Sequence, residues 1–345
     1  MTAARATLPD TGTLVHSVDG SSFGVEPNQE VGVKRLLLTA AIGGLCLAGP
    51  IAVSAGIPVD ELYDAVEHGY ADSDGVRIHY VTLGEGPLVL FIHGFPDQWY
   101  AWRYQMAALA DDYQVVAISQ RGYNRSDKPT GVEHYDIEHL TGDVAAVIRH
   151  LGGESAVIVG HDWGGIVSWF FGERYPEMIK GLVIYNRPHP GPRRREMALN
   201  NDQKRRSQYI SRFTTTTGDL GGLDAEQLAA RRAEPGTAWN ARYREAFERS
   251  DYEAMVNYYR AYYPQPPWLV DEGPKVMFPA PVLEFHGLDD GAYVNESLND
   301  TWEWMTQDLT LLTLPGVGHN SQNTGDIAFV TGMLQAWLEL KGFKN

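Results

Sequence analysis

From residue 71 the chain alternates short apolar runs with longer amphipathic stretches. Residues 76–83, 87–92, 113–119, 155–160 and 180–185 are compact apolar runs, the pattern of strands. Between them, residues 102–110, 137–151 and 164–175 carry the longer pattern, with apolar spacing at i, i+3 and i+4 that predicts helices. Strands alternating with helices predict a parallel sheet covered on both faces. The rhythm stops after Pro188: residues 188–272 are charged, aromatic and helix-rich, without a clear buried strand. It resumes with strands at 282–285 and 309–314 and helices at 296–305 and 326–340. The expected organisation is an α/β core in two parts, 58–187 and 273–345, interrupted by a helical lid over 188–272. Open α/β sheets bind ligands outside the carboxyl ends of their strands, so the turns after these strands are where chemistry is expected.

Ahead of the core the pattern changes. Residues 1–30 are polar and aperiodic; Lys34 and Arg35 then precede an apolar run at 36–57, LLLTAAIGGLCLAGPIAVSAGI. Two positive charges, an apolar stretch and the small-residue site Val53-Ser54-Ala55 read as a signal peptide cleaved near Ala55, with export as its consequence. Pro50 and four glycines make poor material for a packed helix. An uncleaved membrane anchor over 36–57 is the alternative, since the run reaches the length of a span. The charged flank sits deep in the chain, which a start at Val31 or Val33 would explain.

Composition narrows the functional classes. Of 345 residues, 43% are hydrophobic, enough for a large core. A net charge of −16 repels polyphosphate and argues against a nucleic-acid partner. The basic runs Arg193-Arg194-Arg195 and Lys204-Arg205-Arg206 are expected on solvated helix faces. Cys46 is the sole cysteine, so no intramolecular disulfide can form, and no Cys/His spacing suits a metal.

The chemistry concentrates in the turns. Gly160-His161-Asp162-Trp163-Gly164 lies where a strand passes into a helix. Flanking glycines permit a sharp elbow that exposes the central side chain. An aspartate there can attack carbon and leave an ester that water opens; taken alone, it serves equally well as a helix cap. His93-Gly94-Phe95-Pro96 follows an earlier strand, where the backbone N–H groups of Phe95 and Trp163 can hold an oxyanion. Asp290, in Gly287-Leu288-Asp289-Asp290, and His319, after Gly318, each follow later strands. Nucleophile, acid and histidine in that chain order form a triad on an elbow-bearing sheet. His319 is then the base acting on water and Asp290 its orienting acid, the G-x-x-D spacing favouring Asp290 over Asp289.

On those residues the chain resembles the α/β-hydrolase-fold epoxide hydrolases over roughly residues 71–342. HGFPDQWYAWR at 93–103, the segment from Arg121 to Pro129 and VGHDWGG at 159–165 carry the resemblance. Gln120, Asn124 and the pair Asn320-Ser321 depart from the family's pattern without removing a catalytic group. The resemblance implies a mostly parallel sheet with an inserted helical lid, and a pocket to which His93, Pro96 and Trp99 contribute. It also implies two lid tyrosines, Tyr209 and Tyr259, on Gln208-Tyr209 and Asn257-Tyr258-Tyr259-Arg260. Two phenols suit an epoxide because its strained oxygen leaves as an alkoxide unless a donor meets it. The implied partner is a small hydrophobic epoxide, with no metal or organic cofactor.

Two other functions compete. Haloalkane and haloacetate dehalogenases share the aspartate and histidine, but Phe95 offers no side-chain donor for a halide, and Trp163 stands where a substrate-binding arginine is usual. A non-catalytic secreted binding protein on the same fold is the alternative from another class. Oligomeric state has no sequence signal.

Overall fold

A computed structural model describes residues 56–344 apart from 216–221, 223, 264–265 and 271–272. The expected signal peptide, its cleavage site near Ala55 and nearly all of the anchor alternative lie outside the described residues, as does Cys46. Among the described residues, no helix is long and apolar enough to cross a membrane.

An eight-stranded sheet organises the protein, in the order β1-β2-β4-β3-β5-β6-β7-β8. Its strands are β1 (Glu67–Ser73), β2 (Val76–Leu83), β3 (Leu88–Ile92), β4 (Gln114–Ile118), β5 (Ala156–His161), β6 (Ile179–Tyr185), β7 (Val282–Gly287) and β8 (Leu309–Leu314). β2 pairs antiparallel with β1 and β4, and every pairing from β4 to β8 is parallel. β3, β5 and β7 are buried at every position; β3 is wholly apolar, β5 is apolar or small up to His161, and β7 carries Glu284 and His286 within its buried run. Around the sheet lie α1 (Leu62–Ala65), α2 (Arg103–Leu109), α3 (Ile137–His150), α4 (Trp163–Arg174) and α11 (Ile327–Leu340). Between β6 and β7 the regular elements among the described residues are helices: α5 (Pro190–Leu199), α6 (Asn201–Arg206), α7 (Gln208–Thr215), α8 (Ala225–Ala230), α9 (Ala238–Arg249) and α10 (Tyr252–Tyr262).

Two elements differ from expectation. β1 is absent from the apolar pattern because only Ala71 and Ser73 of its residues are buried; its register is set by pairing with β2. The helix expected at 296–305 is instead two 3-10 turns, Asn295–Leu298 and Thr301–Trp304. Asp300 separates them in the left-handed region at φ 64° while its carboxylate receives Arg195 Nη1 at 2.6 Å. A helix cannot run through that conformation.

The helical insert is fastened to the loops at the carboxyl ends of the strands. Tyr258 of α10 donates its hydroxyl to the Arg121 carbonyl at 2.8 Å, and Tyr243 of α9 donates to Asp97 Oδ1 at 3.0 Å. Arg232 Nε donates to the Pro96 carbonyl at 3.0 Å. Arg121 itself is held by a two-pronged bond to Asp143 on α3, at 2.7 and 2.6 Å, with both groups buried. Removing one partner leaves the other charge buried and unpaired, which costs about 3–5 kcal/mol. Arg121→Met is therefore expected to lower unfolding free energy by about that amount in urea titration; a loss of only a few tenths of a kcal/mol would show the pair to be dispensable.

Candidate active site

β5 ends at His161 and α4 begins at Trp163, so Asp162 alone reverses the chain. Its backbone sits at φ 51° and ψ −113°, a conformation that a residue with a side chain keeps only when its surroundings enforce it. Glycines enforce it here. A Cβ on Gly164 would lie 2.0 Å from the Ile92 carbonyl oxygen, and one on Gly160 would lie 2.5 Å from that of Gly164. The Asp162 carboxylate makes no cap bond to α4, so the helix-capping role open from sequence is not the one it has.

β3 and β5 are parallel neighbours, with Ile92 opposite Gly160, and the chain leaves β3 for β4 on one side before returning to β5 on the other. The crevice at that reversal is where open sheets bind ligands. The turn after β3 consequently lies against the elbow. Phe95 N–H donates to Asp162 Oδ1 at 2.8 Å. Trp163 N–H occupies the first turn of α4, where no helical acceptor exists for it.

The other carboxylate oxygen faces different partners. His319 Nε2 is 3.5 Å from Asp162 Oδ2, and the Tyr293 hydroxyl is 3.4 Å from the same atom. His319 Nδ1 bonds Asp290 Oδ2 at 2.9 Å. Asp290 is buried and also accepts from Asn186 Nδ2 at 2.8 Å and from the N–H of Ala292 at 2.7 Å. Asp289 is exposed, as the spacing argument required. Asp162 thus meets Asp290 and His319, both more than a hundred positions away, in one line of polar contacts.

The charges reinforce one another. Burial disfavours the His319 imidazolium, but the Asp290 charge and bonds to Asp162 and Asp290 outweigh it and lift the pKa from 6.5 to about 10. Burial would raise both carboxyls; the His319 charge instead lowers Asp290 to about 2, and the His319 hydrogen bond and charge hold Asp162 well below the carboxylate range. The resting site is a cation between two anions.

α7 and α10 bring Tyr209 and Tyr259 together, with ring centroids 6.1 Å apart. Tyr259 packs edge-on against both Phe95 and Trp163 at 5.0 Å, which sets the pair over the Asp162 turn. Neither hydroxyl hydrogen-bonds another described residue. Of the expected pocket residues, half-buried Pro96 follows Phe95 in the turn. His93 is fully buried, with Nδ1 bonded to the Gly94 carbonyl and Nε2 accepting from Gln120 N–H, so it shapes the loop and has no ring nitrogen left for a substrate. Trp99 stacks on Tyr63 at 5.7 Å and belongs to a buried aromatic cluster with Tyr100. These two are corrections, and both arise because the turn's own backbone and core consume the side chains.

The structure also adds residues. Asn186 stands at φ 47° at the end of β6, and its sequence signal was only its position after a strand. Tyr293 had none: three residues past Asp290, it reaches Asp162 because the loop curls back through the bond from its own N–H to Asp290 Oδ1 at 3.2 Å.

The raised His319 pKa is a statement about stability. Its contribution is complete below the unfolded value of 6.5 and is lost as pH rises through about 10. The depressed Asp290 works in the opposite sense, contributing above 3.8 and failing as pH falls through about 2. Melting temperatures of wild type should therefore fall more steeply from pH 6.5 to 10 than those of His319→Gln. Parallel calorimetric profiles would show that the imidazolium is not held.

Comparison with known proteins identifies the fold. The sequence profile of the alpha/beta hydrolase fold family matches residues 87–326. Epoxide hydrolase 1 of Caenorhabditis elegans is 36% identical over 263 residues, 71% of this chain and 63% of the relative. The chain thus spans less than two thirds of that protein's length. A Bacillus megaterium epoxide hydrolase solved with an inhibitor superposes with a TM-score of 0.68 at 30% identity, covering 79% of this chain and all of the other. Epoxide hydrolase A from Mycobacterium thermoresistibile gives 0.65 at 27% identity, covering 79% of this chain and 98% of the other. The chain belongs to the α/β-hydrolase fold family, and its relatives named here are epoxide hydrolases.

Proposed function

We propose that the protein is an epoxide hydrolase that opens an oxirane through a covalent ester on Asp162. The observation that carries this reading is the pair of unpartnered phenols, Tyr209 and Tyr259, set over a carboxylate with one oxygen already fixed. Asp162 Oδ2 attacks a ring carbon, the carbon–oxygen bond breaks, and one phenol gives its proton to the departing oxygen. Forming the ester removes the Asp162 charge, and with it part of what held His319 protonated. His319 passes its proton to the tyrosinate and becomes neutral. It then takes a proton from water, and the hydroxide adds to the ester carbon. Oδ1 carries the oxyanion, on the N–H groups of Phe95 and Trp163. Collapse expels the diol alkoxide, which takes the proton of the newly formed carboxyl group. Carboxylate, imidazolium and phenol are restored, and the net change is oxirane plus water to vicinal diol.

In this reading the helices between β6 and β7 act as a lid whose aromatic underside excludes water. A small hydrophobic epoxide fits such a site. The leader supports export with cleavage near Ala55.

In heavy-oxygen water, label should enter the Asp162 carboxylate over repeated turnovers. His319→Gln should accumulate the ester, detectable by intact mass, while Asp162→Ala should form no diol. Replacing both Tyr209 and Tyr259 by Phe should lower kcat by about 100-fold or more, the usual worth of a positioned acid. Wild-type diol formation in Asp162→Ala would reject the nucleophile, and full activity in the double Phe variant would reject the proton donors. Halide release from haloalkanes or haloacetate in place of diol formation would assign the site to the dehalogenases.

A further inference from the structure

Tyr209 and Tyr259 reach the site from the helical insert, but a third phenol reaches it from the loop after β7. The Tyr293 hydroxyl donates to Asp162 Oδ2 at 3.4 Å, the oxygen left free by Phe95. Its own oxygen accepts from Arg187 Nη1, which also donates to the Tyr263 hydroxyl at 3.2 Å. With a lone pair of the phenol taken by the guanidinium, its proton is turned toward Asp162. Arg187 is fully buried, and its Nε and Nη2 have no partner among the described residues. Gly165 makes room for it: a Cβ there would lie 2.6 Å from Arg187 Cβ. The Trp169 indole N–H donates to the Arg187 carbonyl at 3.1 Å and fixes its backbone. Arg193 adds a second cation, being buried on α5 against the solvated face expected of the basic run. The guanidiniums of Arg187 and Arg193 lie 5.1 and 5.7 Å from the Tyr293 ring centroid.

Two guanidiniums beside a neutral ring do not offset the cost of their own burial. They do so once that ring carries negative charge. Burial pushes the Tyr293 phenol well above its ordinary value of 10 and Arg187 pulls the other way, so the proton is held at rest. The arrangement has a use in the second half of the reaction proposed for Asp162. There Oδ1 carries the oxyanion on the Phe95 N–H, and Oδ2 is the oxygen that leaves with the diol. His319 is occupied with the attacking water at that stage. The lid phenols serve the other diol oxygen, the one released when the oxirane opens. An alkoxide departs slowly unless a donor meets it, and Tyr293 is the phenol beside Oδ2.

We propose that Tyr293 is the acid of ester hydrolysis, giving its proton to Oδ2 as the diol leaves, with Arg187 positioning the phenol and holding its transient negative charge. The inference rests on the ester mechanism proposed for Asp162. His319 takes a proton from water, and the hydroxide adds to the ester carbon. The Cγ–Oδ2 bond then breaks, its electron pair stays on Oδ2, and Oδ2 takes the Tyr293 proton. The oxygen from water takes the place of Oδ2 opposite Tyr293, so the new carboxyl group returns its proton to the phenolate. Tyr293 ends neutral and Asp162 ends charged, and the overall proton count is unchanged. Two sets of phenols divide the work: the insert serves oxirane opening, and the loop after β7 serves diol release.

Single-turnover reactions with a panel of aryl and alkyl oxiranes, quenched and followed by intact mass, separate the two steps. In Tyr293→Phe the ester should form no more slowly than in wild type, while its hydrolysis slows by about 100-fold. At steady state kcat and KM then fall together. The double variant Tyr209→Phe, Tyr259→Phe should show the opposite, slow formation of the ester. Arg187→Lys should keep part of the hydrolysis rate that Arg187→Met loses, because it retains a charge beside the phenol. Tyr293→difluorotyrosine keeps the shape of the ring and makes a stronger acid, so ester hydrolysis at neutral pH should quicken by about threefold or more. A wild-type hydrolysis rate in Tyr293→Phe, or ester formation and hydrolysis falling together, overturns the assignment while leaving epoxide hydrolysis standing. Where Tyr293→Phe does not fold, an unchanged hydrolysis rate in the difluorotyrosine protein overturns it. Neither ester nor diol from any oxirane of the panel, in wild type and His319→Gln, overturns the epoxide reading and this inference with it.

Discussion

The contact between Phe95 N–H and Asp162 Oδ1, at 2.8 Å, is the constraint on which the rest of the site depends. It joins the ends of two adjacent parallel strands, and so inherits their register of Ile92 against Gly160. It also requires missing side chains. A Cβ on Gly94 would lie 2.6 Å from Asp162 Cβ, and one on Gly164 would overlap the Ile92 carbonyl. With Oδ1 taken, Oδ2 is the oxygen facing His319 and Tyr293. The elbow's unfavourable backbone angles thus fix which carboxylate oxygen faces outward and which is already on an N–H donor.

Electrostatics extend that asymmetry. An imidazolium between two buried carboxylates is stable only while both are charged, so any chemistry that neutralises Asp162 weakens the hold on the His319 proton. The same change leaves Arg187, linked to Asp162 only through Tyr293, with less negative charge nearby. His319 and Arg187 therefore answer to the charge on one carboxylate. Placing the insert's aromatic residues around Trp163 keeps water from screening these charges: Tyr258, Tyr259, Tyr262 and Tyr263 all pack edge-on to that indole.

What was legible in sequence follows from how local each signal is. Asp162 and its glycines lie within one turn, so the elbow can be read directly; His319 and Asp290 are each marked by the strand they follow. Tyr209 and Tyr259 depended on the family resemblance, because nothing in helical spacing says which face of α7 or α10 turns inward. β1 was hidden because an edge strand with two buried residues has no apolar pattern to show. The basic run misled for a related reason: charge composition predicts solvent, while the path of α5 carries Arg193 inward and leaves Arg195 paired with Asp300 nearer the surface.

By itself, then, the sequence determined the alternation of strands and helices, the sharp turn that carries Asp162, and the position of Asp162, Asp290 and His319 each after a strand. These are properties of short windows, where steric demands and period act on neighbours in the chain. Only the tertiary structure decided that the Asp162 carboxylate does not cap its helix, that His93 is consumed by its own loop, and that Tyr293 stands beside Asp162 with Arg187 behind it. Those outcomes depend on which groups meet across the sheet's carboxyl edge. That meeting is set by strand order and register, which bring together residues more than a hundred positions apart.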